Sequence, residues 1–74
     1  MSIFATKLKE TRISNNITQK QLSDFLGISE RSYQNYEYGN REPSFDITIK
    51  LSDYLNVSID YLLGRTNNPN SHKL

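Results

Sequence analysis

The chain has 74 residues, no cysteine, a single histidine and a formal net charge of +1. That length fits one small domain, the lack of thiols excludes disulfides and thiolate-bound metals, and a chain this short buries only about 60% of its unfolded surface, so its core must come from economical packing. No apolar run approaches the roughly 18 residues of a spanning helix and no signal-peptide pattern is present, which makes a cytoplasmic protein the expectation.

A first helix is expected over residues 2–15, with Ser2 as its cap and Phe4, Leu8 and Thr11 at helical spacing. Asn15 and Asn16 then make a turn, because asparagine tolerates the left-handed region and competes for backbone bonds. Thr18, followed three residues later by Gln21, is a capping box that starts helix two. In that helix Leu22, Phe25 and Leu26 form one apolar stripe, and Ser23 is small where a second backbone must approach. Gly27 ends the segment, Ile28 plugs the corner and Ser29 caps the next helix.

Helix three is expected at Glu30–Tyr38, with Tyr33 and Tyr36 inward, Glu37 a further inward candidate, and an outer face made almost wholly of hydrogen-bonding groups. Gly39 and Asn40 stop it, and Pro43 forbids continuation. Ser44 caps a fourth helix, Phe45–Leu55, whose expected inward set is Phe45, Thr48, Leu51, Ser52 and Leu55. Val57 plugs another corner, Ser58 caps a short fifth helix over residues 59–63, and Gly64 closes it. The expected architecture is therefore an all-α, compact five-helix domain over residues 1–64. The remainder, 65–74, is too polar to offset its ordering entropy and is expected to be a flexible tail or linker stub.

Helices two and three, joined by a short glycine-containing turn, have the spacing of a helix-turn-helix unit, whose second helix enters the DNA major groove with its N-terminal residues on base edges. Here those residues are Glu30, Arg31 and Ser32. The small net charge argues against strong nucleic-acid binding, but its distribution is uneven. Residues 1–41 carry six basic against four acidic side chains, and residues 42–64 one basic against four acidic. The basic end holds the two-helix motif, so orientation near a phosphate backbone is biased while non-specific affinity stays modest. Catalysis has little to draw on. The lone His72 lies in the tail, no cluster has metal-ligand spacing and the glycines form no phosphate loop, so no enzyme activity, metal or cofactor is expected.

In this order, TQKQLSDFLGIS, ERSYQNYEYGNREPS and LSDYLNVSIDYLLG resemble the DNA-binding domain of the lambda-repressor-like (Cro/CI, XRE) helix-turn-helix family over about residues 4–64. Arg12, Thr18-Gln19, Leu22, Gly27, Ser29, Tyr36-Glu37, Gly39, Pro43-Ser44, Val57-Ser58 and Leu62 to Gly64 carry the resemblance together. Departures are Thr11, Tyr33 and Thr48 where the family usually has aliphatic residues, and Ser23 and Ser52 where alanine is usual; they make the core more polar. The resemblance implies a sequence-specific regulator that binds a double-stranded DNA operator, in the manner of a phage or mobile-element repressor occluding a promoter.

Residue roles follow from the same resemblance. Glu30, Arg31, Ser32, Asn35 and, set more to the side, Gln34 match base-reading positions. The Arg31 fork suits O6 and N7 of a guanine, whereas Glu30 either accepts from cytosine N4 or repels phosphates and rejects wrong sequences. Gln19 matches a glutamine that binds a phosphate and braces the recognition helix, its plainer reading being a surface residue at a helix start. Tyr38, Asn40 and Arg41 fall where family members touch the sugar-phosphate backbone, with turn chemistry alone as the alternative for Asn40. Lys20 joins them as a backbone candidate, against a solvated-face reading that it shares with Lys7 and Lys9. Arg12 and Glu37 match a structural ion pair, and the i, i+3 spacing of Tyr33 and Tyr36 reads as core rather than as a stacking platform.

Ile47, Tyr54, Ile59, Tyr61 and Leu63 are more apolar groups than one small core easily hides. An enlarged core edge, a homodimer contact and a patch for a partner repressor are the open readings. A dimer would address half-sites about 34 Å apart on a near-palindromic operator. The alternative function is that of a genetic-switch or antitoxin-type protein acting mainly through a protein partner.

Overall fold

Each helix of this protein begins at a hydroxyl. In the computed structural model, which describes residues 2–70, Ser2 caps α1 (Ile3–Ser14), Thr18 caps α2 (Gln19–Leu26), Ser29 caps α3 (Glu30–Tyr38), Ser44 caps α4 (Phe45–Leu55) and Ser58 caps α5 (Ile59–Leu62). In every case the side chain accepts a hydrogen bond from the backbone N–H three residues on, satisfying a donor the helix itself leaves open. At Thr18 the box is complete, since the Gln21 side chain also accepts from the Thr18 N–H at 2.7 Å. The described residues are all-helical, with no strand.

Left-handed residues stop three of these helices, at Gly27 (φ 73°), Gly39 (φ 77°) and Asn56 (φ 59°). Gly27 closes the corner that sets α3 across α2. Leu8, Leu22, Tyr33, Leu51 and Leu62 are fully buried where the helices meet, with Leu26, Tyr36, Leu55 and Val57 completing the core. α2 packs on α3, α1 lies against α3 and α5, and α4 reaches α2 and α5. Ser23 and Ser52 are buried and each returns its hydroxyl proton to a carbonyl in its own helix, at 2.9 and 2.8 Å.

Two aromatic residues depart from the expected core. Phe25 is 48% exposed and lies against Tyr54, ring centroids 4.6 Å apart, because Leu22, Ser23 and Leu26 already occupy the inward arc of an eight-residue helix. Phe45 is 89% exposed. It stands in the first turn of α4, at the edge of the face that buries Leu51, Ser52 and Leu55, and Ile47 packs against the core instead. Helix α5 also ends one residue earlier than expected, leaving Leu63 as its exposed C-cap. Past Gly64 the chain turns back, and the Pro69 carbonyl accepts the Ser58 N–H at 2.6 Å. Residues 71–74 of the expected tail, His72 among them, lie outside the described residues. No described helix is long and apolar enough to cross a membrane.

Thr11 is buried with its hydroxyl unpartnered, the one such side-chain atom among the described residues. Replacing it with the near-isosteric valine removes that desolvated group, so Thr11→Val should raise stability by about 1 kcal/mol in urea unfolding.

Candidate functional site

The outward side of α3 and its flanks form a continuous polar surface. Glu30 and Arg31 are exposed in the first turn, Ser32, Gln34 and Asn35 are half-buried along the flank, and Tyr38, Asn40 and Arg41 are exposed at the far end. Ser32 is tied to the helix cap, accepting the Ser29 hydroxyl at 2.9 Å. The loop after α3 is held to the helix it leaves, because the Asn35 carbonyl accepts the backbone N–H of Asn40 at 3.0 Å and of Arg41 at 3.3 Å. Lys20, on α2, pairs with Asp24 at 3.3 Å where both are solvated, an i, i+4 contact of small energetic weight.

Beneath this surface lies a buried carboxylate. Glu37 Oε2 accepts from Arg12 Nε at 2.5 Å and from the Tyr33 hydroxyl, and Oε1 accepts from Arg12 Nη2 at 3.1 Å and Gln19 Nε2 at 3.1 Å. The Arg12 guanidinium also donates Nη1 to the Ile17 carbonyl at 2.9 Å, fastening the turn between α1 and α2. Gln19 in turn accepts from Gln34 Nε2 at 3.1 Å. A chain of hydrogen bonds thus runs from α1 through Glu37 to the N-terminus of α2, and from there to the half-buried flank of α3.

The ionisation of these groups follows from their packing. Burial would raise the Glu37 carboxyl, but hydrogen bonds from Arg12, Tyr33 and Gln19 outweigh it and hold the group below the usual carboxylate range. The hydrogen bond to Glu37 raises the Arg12 guanidinium. Burial first, and the adjacent Glu37 second, push the Tyr33 phenol well above its ordinary value.

The family resemblance pairs Arg12 with Glu37, and the structure brings them together. It also reveals two links that pattern alone misses, Tyr33 to Glu37 and Gln34 to Gln19. The i, i+4 spacing of Tyr33 and Glu37 on one inward stripe is the signal that was available. The five apolar residues grouped by sequence do not form one surface. Ile47 and Tyr61 pack against the core, with the Lys7 ammonium 4.8 Å from the Tyr61 ring centre; Tyr54 meets Phe25 elsewhere, and Ile59 and Leu63 alone share a groove.

Comparison with known proteins agrees with this arrangement. The family described as Helix-turn-helix matches residues 8–62. The uncharacterized HTH-type transcriptional regulator YqaE of Bacillus subtilis is 43% identical over 61 residues, 82% of this chain and 53% of the relative. The cryptic phage CTXphi transcriptional repressor RstR of Vibrio cholerae is 42% identical over 59 residues, 80% of this chain and 53% of the relative. A crystal structure of a transcriptional regulator from Listeria innocua superposes with a TM-score of 0.77 at 28% identity, covering 82% of this chain and 57% of that one. The chain spans about half the length of these curated relatives.

Glu37→Gln leaves the half-buried Arg12 guanidinium beside a neutral amide and should lower stability by about 3 kcal/mol in urea unfolding. Its pH dependence has a defined sign. A carboxyl depressed in the folded state contributes fully above the unfolded value of about 4.3, and the contribution is lost as pH falls through the folded one. Tyr33, raised on folding, contributes fully below about 10 and loses its contribution as pH rises through its folded value. Stability measured against pH should therefore lose its Glu37 acid limb in Glu37→Gln and its Tyr33 alkaline limb in Tyr33→Phe.

Proposed function

We propose, from the premise that this chain belongs to the helix-turn-helix family of transcriptional regulators, that it binds a double-stranded DNA operator in a sequence-specific way and represses by occluding a promoter. The observation that carries the reading is the two-sidedness of α3. Tyr33, Tyr36 and Glu37 anchor it inward, while the Glu30 and Arg31 side chains stand exposed on its first turn, where a helix laid in the major groove meets base edges. Gln19 extends the argument. It sits at a helix N-terminus, where anions are favoured, and its amide is already oriented by Glu37 and Gln34, so a phosphate would meet a fixed group.

In this reading Arg31 reads a guanine, and Ser32, Asn35 and Gln34 add further polar groups beside it. Glu30 has two contributions, acceptance from cytosine and rejection of wrong sequences, and its carboxylate also suits the first turn of a helix. Tyr38, Asn40 and Arg41 set register on the backbone, with Lys20 as an outlying charge. The name of the phage repressor from Vibrio cholerae supports repression as the outcome. An operator-binding repressor of this kind acts in the cytoplasm, and residues 65–74 serve as a polar tail or a linker.

Selection of bound duplexes from a random double-stranded pool tests the proposal. The intact chain should enrich one motif at moderate salt. Arg31→Ala should lose information at a single position, at a cost of about 1–3 kcal/mol on the best site, whereas Arg41→Ala should weaken all sequences alike and lower the salt slope by about one. No enrichment by a chain whose circular dichroism shows it folded would sink the operator-reading proposal in favour of action through a partner protein.

A further inference from the structure

Glu37 dictates the direction of each amide that leads away from it. An ionised carboxylate has only acceptors to offer, and both of its oxygens are in use. Gln19 must therefore turn Nε2 towards Glu37, as it does at 3.1 Å, and its Oε1 is left facing the other way in need of a donor. Gln34 Nε2 supplies that donor at 3.1 Å. The row has a single polarity. Flipping Gln19 would set its oxygen against the Glu37 carboxylate, and flipping Gln34 would set two carbonyl oxygens face to face.

The geometry of α3 also separates Gln34 from the side chains that look outward. Arg31, Asn35 and Tyr38 stand at i, i+4 and i+7 and line one stripe. Gln34 lies about 100° round the axis from Asn35, on the side that meets Gln19 of α2. Gln19 and Gln34 are both half-buried, as side chains between two helices are. A glutamine that reads adenine must present its amide nitrogen and oxygen together to one base. Gln34 has its nitrogen committed to Gln19, so it could read a base in that way only by abandoning the contact.

We infer that Gln34 is a positioning residue, which acts by holding the Gln19 carboxamide in one orientation at the start of α2 and does not itself read a base. Of the two Gln19 amide hydrogens, one is committed to Glu37 and the second is left for an acceptor outside the protein. A phosphate oxygen at this place would meet that hydrogen together with the first-turn N–H groups that a helix leaves open. Because Gln19 is already immobilised from both sides, binding need not restrict it further, and the gain is the same whatever the base sequence. The phosphate step rests on the operator-reading proposal; the contact between Gln34 and Gln19 does not.

Two arms test the assignment. The first follows the side-chain amide signals of Gln19 by heteronuclear NMR in the isotope-labelled, DNA-free chain. Gln34→Met keeps side-chain length and helix propensity but offers no N–H donor. It should shift both Gln19 signals with unchanged circular dichroism, whereas Asn35→Ala, on the neighbouring stripe, should leave them in place. The second arm measures affinity for duplexes that the wild-type chain recovers from the random pool. Gln34→Met should bind each of them about two- to tenfold more weakly and still select the same motif, with the same information at every position. Combined with Gln19→Ala it should add no further loss, since the first substitution removes the group through which the second acts. Gln19 signals that stay in place in Gln34→Met overturn the inference. So does a loss of information at one base position, the mark of a base reader, or a pair of losses that simply multiply in the double variant. A wild type that enriches no duplex counts against the operator reading alone, because the DNA-free arm still decides the contact.

Discussion

The buried carboxylate of Glu37 is the constraint around which the domain is arranged. A charge removed from water is costly unless it is paired and its lone pairs are filled. Here the filling groups come from three helices, Arg12 of α1, Gln19 of α2 and Tyr33 of α3 itself. An apolar side chain at this position would tolerate sliding of one helix over another. A carboxylate with four hydrogen bonds tolerates little, because each small displacement leaves a donor or an acceptor without its partner. The angle between α2 and α3, and hence the position of everything on the outer face of α3, is set by this cluster and by the left-handed turn at Gly27.

That cluster matters more because the helices are short. A helix of eight or nine residues has little stability of its own, and its termini leave a large share of its backbone groups unbonded. The five hydroxyl caps answer the donor side of that problem, and the left-handed residues at Gly27, Gly39 and Asn56 the acceptor side. Close approach of such helices requires small side chains, and Ser23 and Ser52 fill that role with their hydroxyls bonded back to their own helices. Thr11, with no partner for its hydroxyl, is the exception in a core otherwise reconciled to its polar content.

Features written in local chemistry were legible from sequence. Caps, glycine stops and helix periods placed α2, α3 and α4 correctly because each depends on residues within one turn of the boundary. The pairing of Arg12 with Glu37 was legible only through family resemblance, since 25 residues separate them. Two hydrophobic assignments failed for a shared reason. Phe25 and Phe45 both lie at the margin of an apolar stripe, where a period of 3.6 permits either burial or exposure and only the neighbouring helix decides. Leu22, Ser23 and Leu26 fill the inward arc beside Phe25, and Ile47 packs against the core in place of Phe45. The Gln34–Gln19 contact depends on a distance across helix packing that no spacing rule supplies, whereas the Tyr33–Glu37 bond lies within α3 at i, i+4 spacing.

The polar face of α3 and an apolar groove meet at the loop of residues 39–43. Gly39 adopts φ 77° and the Asn35 carbonyl accepts from both Asn40 and Arg41, so the loop has little freedom relative to the recognition helix. Arg41 projects from that loop and lines the groove, while Phe45 begins the helix on its other side. A net charge of +1 gives the chain little long-range attraction to DNA, so the proposed operator binding depends on well-placed contacts. The short, tethered loop thus holds Asn40 and Arg41, the groups proposed to rest on the phosphate backbone, in a fixed relation to α3.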